Sequence, residues 1–215
     1  MHYKETPVWG VLLRLFHWSL FVSIVVLTVT GFYIADPWTN SQALHTGSFP
    51  MADIRYYHFL AGYLFTAAIL LRIYLLLFGN RYERIWDFLP ITPKNIGNLF
   101  RTLFRYLYIS DSHGSKMGHN TLAGMAYLVT IVVACFQLIG GFYLLYPESG
   151  FWQGLGGSLF TSQQNGRLIH HLLMWYFLIF AFIHLYIVIW NDIRSPEGLI
   201  SSIFSGRKFK RITDG

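Results

Sequence analysis

The sequence predicts an all-α membrane protein, a four-transmembrane-helix bundle with a cytoplasmic amphipathic helix between spans two and three. Three observations predict it. The chain of 215 residues is 54% hydrophobic and only 12% charged, about half the charged share of an average soluble domain. Its apolar residues gather into four runs, each close to or above the ~20 residues that a bilayer core requires. Its basic residues gather on one side of those runs. A soluble monomer with so thin a polar coat would expose large apolar patches, so that class is excluded. Disorder is excluded as well, because it needs low hydrophobicity and high charge, whereas mean hydropathy here is +0.43. The length fits a single domain, residues 1–215.

The four runs are 11–34, 57–78, 121–146 and 168–190. The last two contain no Lys, Arg, Asp or Glu, and the first two hold one Arg each, Arg14 and Arg72, near an end where a long side chain can snorkel to the interface. Run 11–34 is too long for a cleaved signal peptide and no small-residue cleavage site follows it, so it reads as a retained helix. Of 16 Lys and Arg residues only Arg55 and Arg167 fall on the side of the first and third connections. That asymmetry places both termini in the cytoplasm and segments 35–56 and 147–167 outside. The +6 charge therefore reports topology, and no nucleic-acid partner is expected.

Between spans two and three, Thr92 can cap a helix with Pro93 in its first turn. Ile96, Leu99, Phe100, Leu103, Phe104 and Leu107 then recur at helical spacing, with Arg101 and Arg105 elsewhere on the wheel. Such a helix lies on the membrane surface or packs on the other spans; the pattern serves both. The single cysteine, Cys135, excludes an internal disulfide, a thiolate-held iron–sulfur cluster and Cys-x-x-Cys-His haem attachment.

Histidines carry the chemistry. Ionisable groups inside a span are costly and each asks for a partner or a task. His17 stands near the cytoplasmic start of span one, His58 near the outer start of span two, and span four carries His170 near its outer end and His184 deeper. Fourteen residues separate the last two, about 1,400° of rotation and roughly 21 Å of rise, so both face one side of the helix at different depths. His171 points about 140° away from His184. Depth then pairs His58 with His170 outside and His17 with His184 inside. Two neutral imidazoles from facing helices are what bis-histidine haem iron requires, and bundle cores host such sites. With both axial positions filled by protein, such a haem carries electrons and leaves no position for a substrate. Arg14, Arg55 and Arg167 each stand three residues before one of these histidines, where they share its face and suit a haem propionate. His2, His45 and His113 lie in tails or loops, and His119 and His171 read as structural or supporting residues.

Gly31, Gly62, Gly124, Gly140 and Gly141 permit close approach within the spans. Helix–helix contact explains them first, a flat porphyrin second. The Phe, Trp and Tyr residues are read mostly as lipid-facing or belt residues.

These stretches resemble a known family. "RLFHW" (14–18) followed by "TG" (30–31), "RYYHFLAGY" (55–63), "GHN" (118–120), "HHLLMW" (170–175), "HLYIVIWNDI" (184–193) and "ISSIFSG" (200–206) are similar to the b-type cytochrome subunit of membrane-bound nickel–iron hydrogenases, a relative of formate dehydrogenase cytochrome b subunits. The tail motif favours the hydrogenase branch. The resemblance covers nearly the whole chain. It implies two haem b groups on His17, His58, His170 and His184, and a quinone site near the cytoplasmic haem. It puts the quinone role on Asn120, with His119 and His184 close by. It also implies a partner, the nickel–iron hydrogenase small subunit with its iron–sulfur clusters, in a complex of possible higher order in a bacterial inner membrane. The chain itself would contain no hydrogen chemistry.

Asn120, His119, Lys116 and Asp111 near the cytoplasmic boundary suit a quinone headgroup, which needs hydrogen bonds at its carbonyls and a proton source. They equally suit a polar helix start with Asn120 as cap. In the outer connections Trp38, Phe49, Phe151, Trp152 and Phe160 fit a docking surface or an interfacial belt. The expected function is electron transfer from a periplasmic hydrogenase to quinone. The nearest alternative is a cytochrome b subunit of a formate dehydrogenase or thiosulfate-reductase type of complex. A cofactor-free transporter would need broken helices and mid-depth polar residues, and apart from the histidines and Arg72 the spans hold neither.

Overall fold

The computed structural model describes residues 2–38, 49–89, 93–106, 121–194 and 198–212. Its elements in order are β1 (His2–Pro7), α1 (Val11–Ala35), α2 (Pro50–Phe78), α3 (Ile85–Phe88), α4 (Pro93–Tyr106), α5 (Thr121–Leu145), α6 (Gly150–Phe160), α7 (Gln163–Arg194), α8 (Leu199–Ser205) and β2 (Arg207–Ile212). Four helices are long and apolar enough to cross a membrane: α1, α2, α5 from Leu122, and α7. The protein is an all-α membrane protein, as expected, with all four spans where the apolar runs lie. Two spans are longer than their runs by more than one residue. α2 begins at Pro50, whose missing N–H costs nothing in a first turn, and α7 begins at Gln163, where polar residues supply the turn that the apolar count overlooks. Helix α4 begins at the Pro93 expected to stand in its first turn.

Contacts divide the chain into two compact units. One comprises residues 16–70 and 133–180. Its centre is Phe65 and Ile69 of α2, Ala134 of α5 and Phe177 of α7, with Phe16, Leu20, Ile24 and Leu27 of α1 packed around them. The Phe65 and Phe177 rings meet edge to face at 5.9 Å, an arrangement that ring quadrupoles favour. Cys135 packs at the rim of this cluster as a free thiol. Val22, Val25, Val29, Leu64, Phe136 and Ile179 are exposed instead, and so many bare apolar side chains on long helices are in keeping with a lipid solvent. Tyr143 sits where α5, α6 and α7 meet. Its ring stacks on Phe160 at 5.8 Å and fills the space beside Gly156 and Gly166, leaving no room for a Cβ at the first.

The other unit comprises residues 1–15, 71–132 and 181–215. Here β1 and β2 form an antiparallel ribbon with Lys4 opposite Lys210 and Pro7 opposite Arg207, an element that the sequence reading did not foresee. Below the ribbon Val8 and Trp9 donate their N–H groups to the Gly206 carbonyl at 2.9 and 3.0 Å. Trp9 Nε1 donates to Ser202 Oγ at 3.0 Å, and the Lys208 ammonium lies 5.1 Å from the Trp9 ring. Gly206, at φ 82°, is in the left-handed region that glycine tolerates best. A Cβ there would also come within 2.7 Å of the Trp9 carbonyl.

Arg72 departs from expectation. It does not snorkel but is buried, 3% exposed, as is Glu83. Its Nη1 donates to the Glu83 carbonyl at 3.2 Å. The Glu83 carboxylate accepts from Gly10 N at 2.9 Å and from Asn80 N at 3.0 Å, with Gly10 and Gly79 pressed so close that neither has room for a Cβ without a shift. Burying a cation beside an anion whose oxygens are both hydrogen-bonded avoids the penalty of a lone buried charge.

Candidate haem site

Three helices converge on His58. From α2 its Nδ1 lies 2.8 Å from Thr30 Oγ1 of α1. One residue on, a Cβ at Gly31 would stand 3.6 Å from His58 Cε1 and 3.8 Å from Met174 Sδ of α7. Met174 is one helical turn from His170 and shares its face, and the His58 and His170 imidazoles are within electrostatic range of each other. The outer pair expected from depth is therefore brought together in one unit.

His170 meets α5. Gln137, Gly140 and Gly141 recur at helical spacing on one face of that helix. Gln137 Nε2 donates to the His170 carbonyl at 3.2 Å and stands 3.4 Å from His170 Nε2. A Cβ at Gly140 would lie 3.5 Å from His170 Nδ1, and one at Gly141 3.4 Å from His170 Cε1. Three of the five span glycines thus back onto an imidazole of a neighbouring helix, the close helix–helix approach expected of them. Gly62, one turn from His58, has open space at its Cβ position.

His170 Nδ1 and Gln137 Oε1 are buried without a hydrogen-bond partner. Native structures rarely leave such atoms unpaired, since each costs about 1–3 kcal/mol. Among the described residues no group of three or more His, Cys, Asp or Glu gathers as a protein-only metal site would need. A pair of imidazoles with a partnerless buried ring nitrogen, flanked by glycines, fits an iron whose remaining ligands come from a porphyrin.

The second pair divides between the two units. His17 of α1 meets the Trp18 ring edge to face at 5.5 Å. His184 of α7 has its Nδ1 3.3 Å from the Tyr127 hydroxyl of α5. His171, set aside by helical rotation, accepts from Trp175 Nε1 at 3.3 Å and meets Phe32 edge to face, a structural role. Thr30, Gln137, Tyr127 and Met174 escaped the sequence reading; the signal for the first three was a hydrogen-bonding side chain inside an apolar run.

The three arginines differ. Arg14 Nη1 donates to the Phe204 carbonyl, and its Nε is buried without a hydrogen-bond partner. Arg55 is exposed with its guanidinium 5.7 Å from the Phe59 ring, and Arg167 is exposed. Asn120 and His119, with Lys116 and Asp111, lie outside the described residues. Of the outer aromatics Phe49, Trp38 and Phe151 are exposed, whereas Phe160 is buried against Tyr143 and belongs to the core.

Residues 8–206 match the prokaryotic cytochrome b561 family. The chain belongs to that family. Relatives include the probable Ni/Fe-hydrogenase B-type cytochrome subunit of Cupriavidus necator, 33% identical over 96% of this chain and 88% of the relative. That of Azotobacter chroococcum is 35% identical over 92% and 86%. The probable Ni/Fe-hydrogenase 1 B-type cytochrome subunit of Escherichia coli K12 is 30% identical over 99% and 94%. The cytochrome is an integral membrane electron carrier of the b type, with haem b as its prosthetic group. The tail stretch 200–206 singled out for the resemblance is α8 with its terminating Gly206. Ser202 and Gly206 there are the residues that anchor Trp9 and Val8.

Proposed function

We propose that this cytochrome carries electrons from a periplasmic nickel–iron hydrogenase to membrane quinone in a bacterial inner membrane, with two haem b groups, one on His58 and His170 and one on His17 and His184. The observation that carries the reading is the convergence of His58 and His170 beside Gly31, Gly140 and Gly141, with a ring nitrogen of His170 buried and unpartnered. Names of relatives over nearly the full chain support the hydrogenase as electron source. The basic asymmetry supports cytoplasmic termini, and α4 then lies at the cytoplasmic surface with Phe100 and Phe104 toward lipid.

Bound haem b supplies reversible one-electron transfer at each pair. The chain's own residues hold and orient it. His17, His58, His170 and His184 would hold the two haems through their imidazoles, and Arg14, Arg55 and Arg167 would meet the propionates. Asn120, with His119 close by, hydrogen-bonds the quinone carbonyls, and the polar group of Asn120, His119, Lys116 and Asp111 supplies the two protons that accompany two electrons.

Haem per chain, measured in the parent protein and in His58→Ala and His184→Ala separately, tests this. Each substitution is expected to remove one spectrally distinct haem of two. A purified parent without a bis-histidine haem b spectrum, or either variant retaining both haems, overturns it. Co-purification with a nickel–iron protein is expected; a molybdenum protein in its place reassigns the partner.

A further inference from the structure

The Thr30 hydroxyl has one proton and three close neighbours. It lies 2.6 Å from the Val26 carbonyl, 3.3 Å from the Leu27 carbonyl and 2.8 Å from His58 Nδ1. A carbonyl oxygen only accepts, and two oxygens approach to 2.6 Å only with a proton between them. The proton therefore points to Val26, and towards His58 the hydroxyl is an acceptor. His58 Nδ1 carries a hydrogen and donates it, which leaves the lone pair on Nε2. Thr30 is buried, 6% exposed, so water does not compete for this bond.

We infer that Thr30 is a positioning residue for the outer haem: its hydroxyl, locked by the back-bond to Val26, sets the His58 tautomer and ring orientation so that Nε2 is presented to the iron. This rests on His58 being an axial ligand. A donated Nδ1–H makes an imidazole a stronger base at its other nitrogen, and such supporting partners are worth roughly 10–100-fold in metal affinity. A more basic ligand stabilises ferric over ferrous iron, so Thr30 holds the potential of this haem down. Tyr127 stands near His184 in a comparable way, its hydroxyl 3.3 Å from His184 Nδ1.

The test compares Thr30→Val, which keeps the shape and removes the acceptor, with Thr30→Ser, which restores it. Purified holoprotein is titrated potentiometrically, with low-temperature electron paramagnetic resonance of the ferric haems. In Thr30→Val one haem of two is expected to shift upward. A tenfold loss of ferric preference corresponds to about 59 mV for a one-electron couple. The low-spin signal of the same haem is expected to change and its occupancy to fall, while Thr30→Ser behaves as the parent. Should Thr30→Val not assemble, Thr30→Ala is read by the same criteria. If the acceptor-free variant keeps the parent potential and signal for both haems, or if Thr30→Ser shifts as Thr30→Val does, the inference is overturned. Failure of the ligand assignment is distinguishable: His58→Ala would then retain both haems, whatever the Thr30 variants do.

Discussion

Replacing Glu83 tests the buried charge cluster that ties the start of α1 to the end of α2. In Glu83→Ala the N–H groups of Gly10 and Asn80 lose acceptors at 2.9 and 3.0 Å, and Arg72, 3% exposed, loses the carboxylate in its electrostatic range. Hydrogen bonds to a charged group are worth about 1.5–3 kcal/mol each, and breaking a buried ion pair by removing one partner costs roughly 3–5 kcal/mol. Because the terms share one carboxylate they do not add in full, and the expected loss is about 3–5 kcal/mol. Glu83→Gln keeps one acceptor oxygen but turns an amide donor toward a second N–H, for an expected loss of about 1–3 kcal/mol. Equilibrium unfolding of the purified holoprotein in mixed micelles, followed by haem absorbance and tryptophan fluorescence, measures both. The reasoning predicts an order of parent, Gln, Ala. A Glu83→Ala protein within about 0.5 kcal/mol of the parent, the range of neutral surface changes, would refute it, as would a Gln variant less stable than Ala.

Three further outcomes follow from the packing. Gly156→Ala pushes a methyl into the Tyr143 ring and is expected to cost about 1–3 kcal/mol by overpacking, read as an earlier thermal transition, while Gly154→Ala, with open space at its Cβ, leaves the transition unmoved. Gly140→Val places a branched side chain against His170 and Phe160 and is expected to lower occupancy of one haem of two, seen as a halved haem-to-protein ratio at the limit. Trp9→Phe removes the donor to Ser202 and weakens the contact with Lys208; the expected loss is about 1–2 kcal/mol, visible as faster proteolysis of the N-terminal strand.

Much of the candidate site was legible because a membrane penalises every ionisable group within it. His58 and His170 stand out against apolar runs, and helical rotation alone separates His170 from His171. Thr30, Gln137 and Tyr127 were not legible. An uncharged hydroxyl or amide is cheap enough in a span to pass as packing, and what distinguishes Thr30 is the imidazole facing it from another helix. Arg72 was misread for a related reason: its partner Glu83 lies beyond the end of its own helix, so the run gives no sign that the cation turns inward rather than snorkels.

Spans, their number and their apolar character were set by local composition, because in lipid the only way to satisfy a single segment's backbone is to coil it into a helix. So was the separation of His170 and His184 along α7, since rise per residue is constant along a helix. The ribbon of β1 and β2, the seating of Trp9 on Ser202, the Arg72–Glu83 cluster and the pairing of Thr30 with His58 were decided only in three dimensions. They join residues as much as 210 positions apart, and no periodicity along a chain records which distant atom will accept a given proton.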